Sequence, residues 1–233
     1  MNSRIIYVLI GPPAIGKSTW INAHTDPDNT MVINRDDIVE NVANSYGWTY
    51  DDLYVYPPND AEIGNVDEKY GEVIPAPENM YWRKTVFNKV TDGNNRVSEI
   101  LNQNLENAKT TNKNIIVDLT NMRVKDRLAS LEKISNPKDI KIAVVFNFKG
   151  KENIIKTVSR KRAETAARMG KSKTIPDSAI DRMIDKYEPP TPQEGFDKII
   201  YSNTIPQLKK FAGLKEVRRI IRKTINELFD RNY

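Results

Sequence analysis

VLIGPPAIGKSTW, residues 8–20, joins an apolar run to a glycine-framed turn, then to a lysine and two hydroxyls. The spacing is Gly11, four residues, then Gly16-Lys17-Ser18, the pattern of a phosphate-binding loop. Upstream, Ile5, Ile6, Val8, Leu9 and Ile10 read as a strand buried on both faces. Downstream, Thr19 to His24 can continue as a helix, so strand, loop and helix come in the order the motif needs. The chemistry follows from the backbone. Successive N–H groups around an anion form a nest, and a helix N-terminus adds partial positive charge. The expected cradle for a nucleotide's phosphates is Gly11, Pro12, Pro13, Ala14, Ile15, Gly16, Lys17, Ser18 and Thr19. Lys17 can reach the β- and γ-phosphates, and the Ser18 hydroxyl can ligate Mg²⁺. The motif names neither the nucleotide nor the fate of its phosphate.

Further strand candidates follow at 30–34, 114–118, 140–148 and 197–201, with helical stretches between them. That alternation predicts an α/β fold, a parallel sheet covered by helices on both sides. Two strand ends carry acids. NIIVD, residues 114–118, ends in Asp118, a place that suits a carboxylate orienting Mg²⁺ or its water, or an ordinary turn aspartate. MVINRDDIVE, residues 31–40, puts Asp36 and Asp37 where a strand gives way to a helix. Ligands of open parallel sheets bind at the carboxyl ends of strands, so an aspartate there can take the proton of an attacking hydroxyl. Asp is also a good helix cap, and with two of them one can cap while the other works.

Residues 151–173 hold eight Lys or Arg against two Glu, a local net charge of +6 in a chain whose total is +5. Arg160, Arg162 and Arg168 precede a lysine-rich turn and Pro176, which predicts a mobile lid over about 157–176. A lid arginine can neutralise a transferred γ-phosphoryl group and help exclude water.

The chain has 233 residues, 39% of them hydrophobic, enough for one domain with a buried core, and a single domain over 1–233 is expected. No apolar run approaches membrane-spanning length and no signal-peptide pattern opens the sequence, which predicts a cytoplasmic protein with no membrane partner. There is no cysteine, hence no disulfide, thiolate catalysis or cysteine metal site. His24, the one histidine, sits on the helix after the loop and reads as surface or packing. Residues 214–232 read as a packed C-terminal helix with a basic outer face.

GPPAIGKSTW, INRDD and VDLTN, followed by an arginine-rich lid and Ile175-Pro176, resemble the bacteriophage polynucleotide 5′-hydroxyl kinases. YEPPTPQEGFDKIIY, residues 187–201, looks like the end of the lid and the last strand of related P-loop kinases. The resemblance covers residues 1–40 and 114–201. It implies a three-layer P-loop kinase fold and transfer of the ATP γ-phosphate to the 5′-hydroxyl of RNA or DNA. It further implies that Lys17 and Ser18 hold ATP and Mg²⁺, that Asp36 is the general base, and that lid arginines clamp phosphate. Such kinases can carry an arginine three residues after the base, where this chain has Val39. The phosphatase motif Asp-x-Asp-Gly-Thr of the bifunctional members does not occur.

An inserted segment over about 46–82 concentrates aromatics, among them Tyr46, Trp48, Tyr50, Tyr54, Tyr56, Tyr70, Tyr81 and Trp82. Aromatic faces can stack bases. Yet Lys69 is the segment's one basic residue, which suits a phosphate backbone poorly and a self-packed subdomain equally well. Val39 and this acidic insert favour a second reading, a kinase of a small hydroxyl compound such as a nucleoside or nucleotide sugar, or of aminoacyl-tRNA. A third reading is an ATP-gated binding protein, against which Asp36 and the arginine lid stand, because a switch needs no hydroxyl base.

Overall fold

The period-2 alternation of the strands sorts their side chains onto two faces. In the computed structural model, which describes residues 3–54, 79–169, 171 and 173–203, that sorting is direct. Strand β1 (Ile5–Ile10) sends Ile6, Val8 and Ile10 to one face and Leu9 to the other. β3 (Asn114–Asp118) splits Ile115 and Val117 from Ile116 in the same way. β4 (Ile140–Phe146) splits Ala143 and Val145 from Val144 and Phe146. With β2 (Thr30–Asn34) and β5 (Lys198–Ser202), they form one five-stranded sheet in the order β2-β3-β1-β4-β5. Every pairing is parallel.

Helices cover both faces, giving three layers. On one side lie α3 (Asn79–Thr110), through Leu105 and Ala108, and α4 (Val124–Ile134), through Leu131 and Ile134. On the other lie α1 (Lys17–His24), α5 (Glu152–Arg168) and α6 (Asp177–Asp185), which bury Trp20, Ile155, Val158 and Ile180. α2 (Arg35–Ser45) joins β2 to a third apolar cluster of Val39, Val42, Trp48, Leu53 and Val97. His24 stacks on Trp20 with ring centroids 4.5 Å apart, a packing role as expected.

Several expected boundaries move. The strand at 140–148 stops at Phe146, the last runs 198–202 rather than 197–201, and the helix after the loop starts at Lys17 instead of Thr19. The inserted segment ends inside α3, which begins at Asn79; Trp48 and Leu53 are buried against α2 and α3, so its start packs as part of the domain. Residues 55–78 and the helix expected at 214–232 lie outside the described residues. No helix among the described residues is long and apolar enough to cross a membrane.

A parallel sheet puts all its carboxyl ends on one edge. The chain leaves β1 toward β2 and leaves β4 toward β5, and such a reversal opens a crevice above that edge. The loop after β1, the start of α2 and Asp118 all converge there.

Candidate active site

The phosphate loop is built by burying its apolar members and freeing its amides. Ile15 is fully buried in one apolar cluster with Leu9 and Phe146, which anchors the loop on the sheet. Gly11 donates its N–H to the Thr120 carbonyl at 3.1 Å, and a Cβ there would lie 3.1 Å from both Ile15 and Phe146. Gly16 caps α1 with φ 111° and Ala14 has φ 61°. A left-handed alanine costs of order 1–3 kcal/mol, and such strain gathers where successive N–H groups are turned toward a ligand. Pro12 and Pro13 have no N–H and contribute only shape. After Gly11, the next amide to meet a backbone partner is that of Trp20, on the Gly16 carbonyl at 3.1 Å. The amides of Ala14 through Thr19 thus have no partner among the described residues, the condition for an anion nest.

Lys17 is not a free probe in this state. Its Nζ donates to the carbonyls of Gly11 at 3.1 Å and Leu119 at 2.9 Å, and lies 3.7 Å from Asp118 Oδ1. Burial pushes the ammonium below its ordinary value, against the pull of Asp118 and Asp36. Burial likewise raises the Asp118 carboxyl, opposed by Lys17. Asp118 Oδ2 accepts from Asn34 Nδ2 at 3.3 Å, while Oδ1 is buried with no hydrogen bond among the described residues. An orphaned buried carboxylate oxygen beside a phosphate loop fits a hydrated Mg²⁺, which keeps its waters and takes one or two carboxylates. Ser18, exposed at the first turn of α1, fits as the hydroxyl ligand. Among the described residues no group of three or more His, Cys, Asp or Glu is set to hold a metal by itself.

The two aspartates of α2 are both spared from capping. Asn34 is the N-cap, its Oδ1 accepting from the Asp36 N–H at 2.8 Å. The expectation that one aspartate caps is therefore corrected, because the residue before Arg35 already supplies the acceptor. Asp36 Oδ1 accepts a 2.9 Å hydrogen bond from the Tyr50 hydroxyl, and Oδ2 lies 3.3 Å from Lys173 Nζ. Lys173 also pairs with Glu40 at 3.1 Å and sits 4.5 Å above the Tyr50 ring. Asp37 is exposed; burial and the neighbouring Glu40 raise its carboxyl, with Lys173 opposing. Sequence reasoning missed Tyr50, Lys173 and Asn34. Tyr50 stood in the aromatic run and Lys173 in the charge run, yet neither position signals the other.

The lid expected over 157–176 is mostly helix, since α5 runs to Arg168 and buries Ile155, Val158 and Ser159. Arg160 is exposed and pairs with Asp177 at 3.1 Å, and Lys156 pairs with Asp181 at 2.6 Å. The +6 count ended at residue 173, just before these two aspartates, so the surface is less basic than the count implied. Arg162 is half-buried, and burial lowers its guanidinium. Arg168 is exposed at the end of α5. It is Lys173, not one of these arginines, that touches the candidate base. Val39 is fully buried among Val42 and Leu53, leaving no room there for an arginine facing a ligand.

A protein family described as AAA domain, whose fold is P-loop kinase-like, matches residues 6–190. Among solved structures, a candidate kinase from Chloroflexus aurantiacus aligns over 97% of this chain and 98% of its own, with 11% identity and a TM-score of 0.51. A structure from the PezAT chromosomal toxin–antitoxin system of Streptococcus pneumoniae aligns over 99% and 88%, with 14% identity and a TM-score of 0.53. Both likenesses concern the fold alone. No curated protein matches in sequence.

Proposed function

The chain belongs to this AAA domain family, and we propose that within it the chain is an ATP-dependent kinase of a polynucleotide 5′-hydroxyl. The observation that carries the reading is Asp36, held by Tyr50 and Lys173 on the sheet edge that also bears Lys17 and Asp118. A protein that only senses ATP has no use for a carboxylate so placed. In the proposed reaction Asp36 takes the proton of the acceptor hydroxyl as its oxygen attacks the γ-phosphorus. The bond to the bridging oxygen breaks and ADP leaves. Lys17 and the loop amides stabilise the charge that shifts onto the phosphates. Mg²⁺, held with ATP by Ser18 and Asp118, would supply further neutralisation. Arg162 and Arg168 are the lid arginines left to meet phosphate, and Arg160 could join them by leaving Asp177.

A second reading, a kinase of a small hydroxyl compound, is favoured by the buried Val39 and by a cavity of about 100 Å³ between α2 and the lid, beside Tyr50 and Lys173. The experiment that separates the two is incubation with γ-labelled ATP and 5′-hydroxyl RNA, 5′-hydroxyl DNA or a nucleoside panel at several salt concentrations. A polymer acceptor should take label, with affinity falling as log salt rises, by a slope of roughly −0.7 per phosphate neutralised on a single strand. Equal labelling of nucleosides without salt dependence would overturn the polynucleotide reading.

A further inference from the structure

A larger cavity, of about 280 Å³, opens between the N-terminal turn of α4 and one face of α6. Its size is near the lower end for small-molecule sites, about 300–1,000 Å³. It begins at Thr120, whose carbonyl receives the Gly11 N–H, so it shares the end of β3 with the phosphate loop and Asp118. Met122, almost wholly buried, and Met183 form an apolar floor. Three cations ring it: Arg123 before α4, Arg182 on α6, and Lys186 one turn later at the C-cap of α6.

Two of the three charges, those of Arg182 and Lys186, are not spent on a carboxylate among the described residues. Asp126 is the one carboxylate in the lining, and Arg123 holds it through two 2.8 Å hydrogen bonds. Glu188, nearby, accepts the Val124 N–H at 2.6 Å. Arg182 donates to the Ser178 carbonyl of its own helix at 3.3 Å, and among the described residues neither Arg182 nor Lys186 meets a carboxylate. Like charges four apart on a helix repel. The helix dipole offsets that repulsion near a C-terminus. It does not explain why cations from two separate elements converge on one apolar-floored cavity.

We propose that this cavity holds a phosphate-bearing nucleoside unit of the acceptor, its phosphate on Arg182 and Lys186 beside Arg123 and its apolar part against the methionines. The inference rests on the kinase reading above and deepens it. It supplies the cationic contact that Val39 cannot. The alternative source of the same chemistry is the donor, ATP.

The test uses the full chain and calorimetric binding of uridine 3′-monophosphate, uridine and ATP, together with transfer kinetics. Arg182→Gln, Lys186→Gln and the double variant are compared with Arg182→Lys as the conservative control; both positions are exposed and bond to no other element. Each Gln substitution should raise the dissociation constant for uridine 3′-monophosphate about tenfold, the factor of one charge-assisted hydrogen bond. Uridine and ATP should bind as before, and Arg182→Lys should recover part of the loss. Unchanged uridine 3′-monophosphate binding in the double variant overturns the proposal, and a matching loss of ATP binding reassigns the cavity to the donor and overturns it too. A chain that loses uridine 3′-monophosphate binding on substitution yet labels no acceptor keeps the anion site and ends the kinase reading. Transfer whose KM ignores both substitutions does the reverse.

Discussion

Asp36→Asn separates chemistry from architecture at one atom pair. The amide keeps an Oδ1 that can accept from the Tyr50 hydroxyl, now 2.9 Å away. It loses the negative charge facing Lys173 at 3.3 Å, in a pair that is part-exposed on both sides. Such pairs contribute about 0.2–1 kcal/mol, which for a domain of this size shifts Tm by no more than about 2–4 °C. Losing a general base costs about 10²–10⁴ in rate, or roughly 2.7–5.4 kcal/mol of barrier. The two effects differ enough to be told apart in one preparation. Label transfer from γ-labelled ATP to a 5′-hydroxyl oligonucleotide reads the chemistry, calorimetry with ATP reads binding, and thermal denaturation reads the fold. The expected result is a folded variant that binds ATP and has lost at least about a hundredfold in turnover. Asp37→Asn should be milder, because that carboxylate has neither the Tyr50 nor the Lys173 contact of Asp36, and partial burial and Glu40 already disfavour its charge. Turnover within a few-fold of the parent for Asp36→Asn, or a larger loss for Asp37→Asn, refutes the assignment.

Lys17→Ala should abolish transfer and also destabilise, since it strands the buried Asp118 carboxylate. Burial raises that carboxyl in the fold, so the penalty is present above its raised pKa and relieved as pH falls through it; urea denaturation at pH 7 and pH 5 should show the gap to the parent narrowing at the lower pH. Lys173→Met should cost about 1 kcal/mol in the same assay. Although burial opposes it, Asp36 and Glu40 raise the Lys173 ammonium above its ordinary value, so that loss should be equal at pH 7 and pH 9, both below the unfolded lysine's titration. Arg127→Leu breaks a fully buried pair with Glu194, at 2.6 and 2.8 Å, and removes donors from the carbonyls of Asn121 and Glu188; a loss of about 3–5 kcal/mol in urea denaturation is expected, and a loss under 1 kcal/mol would show the pair to be dispensable.

What the residues alone determined was whatever local order encodes. Gly11, Gly16, Lys17 and Ser18 stand at fixed spacing because a loop around an anion is a local object, closed within eight residues. The strands were legible because each is a short apolar run bounded by polar turns, and alternation with helices implies parallel order. Where α1 and α2 begin was less legible. Capping depends on which side chain reaches which amide, and Asn34 took the role expected of an aspartate. The lid charge was overcounted for a related reason: Asp177 and Asp181 neutralise α5 only because α6 folds back beside it. The tertiary structure alone decided what surrounds the candidate base. Tyr50 is 14 residues from Asp36 and Lys173 comes from beyond β4, yet strand pairing and the packing of α2 bring both to one carboxylate. It also decided that Lys17 is buried beside Asp118 and that Arg123 meets Arg182 and Lys186 around one cavity. Coulomb interactions and burial act through space, and distance along the chain carries no record of them until the sheet is assembled.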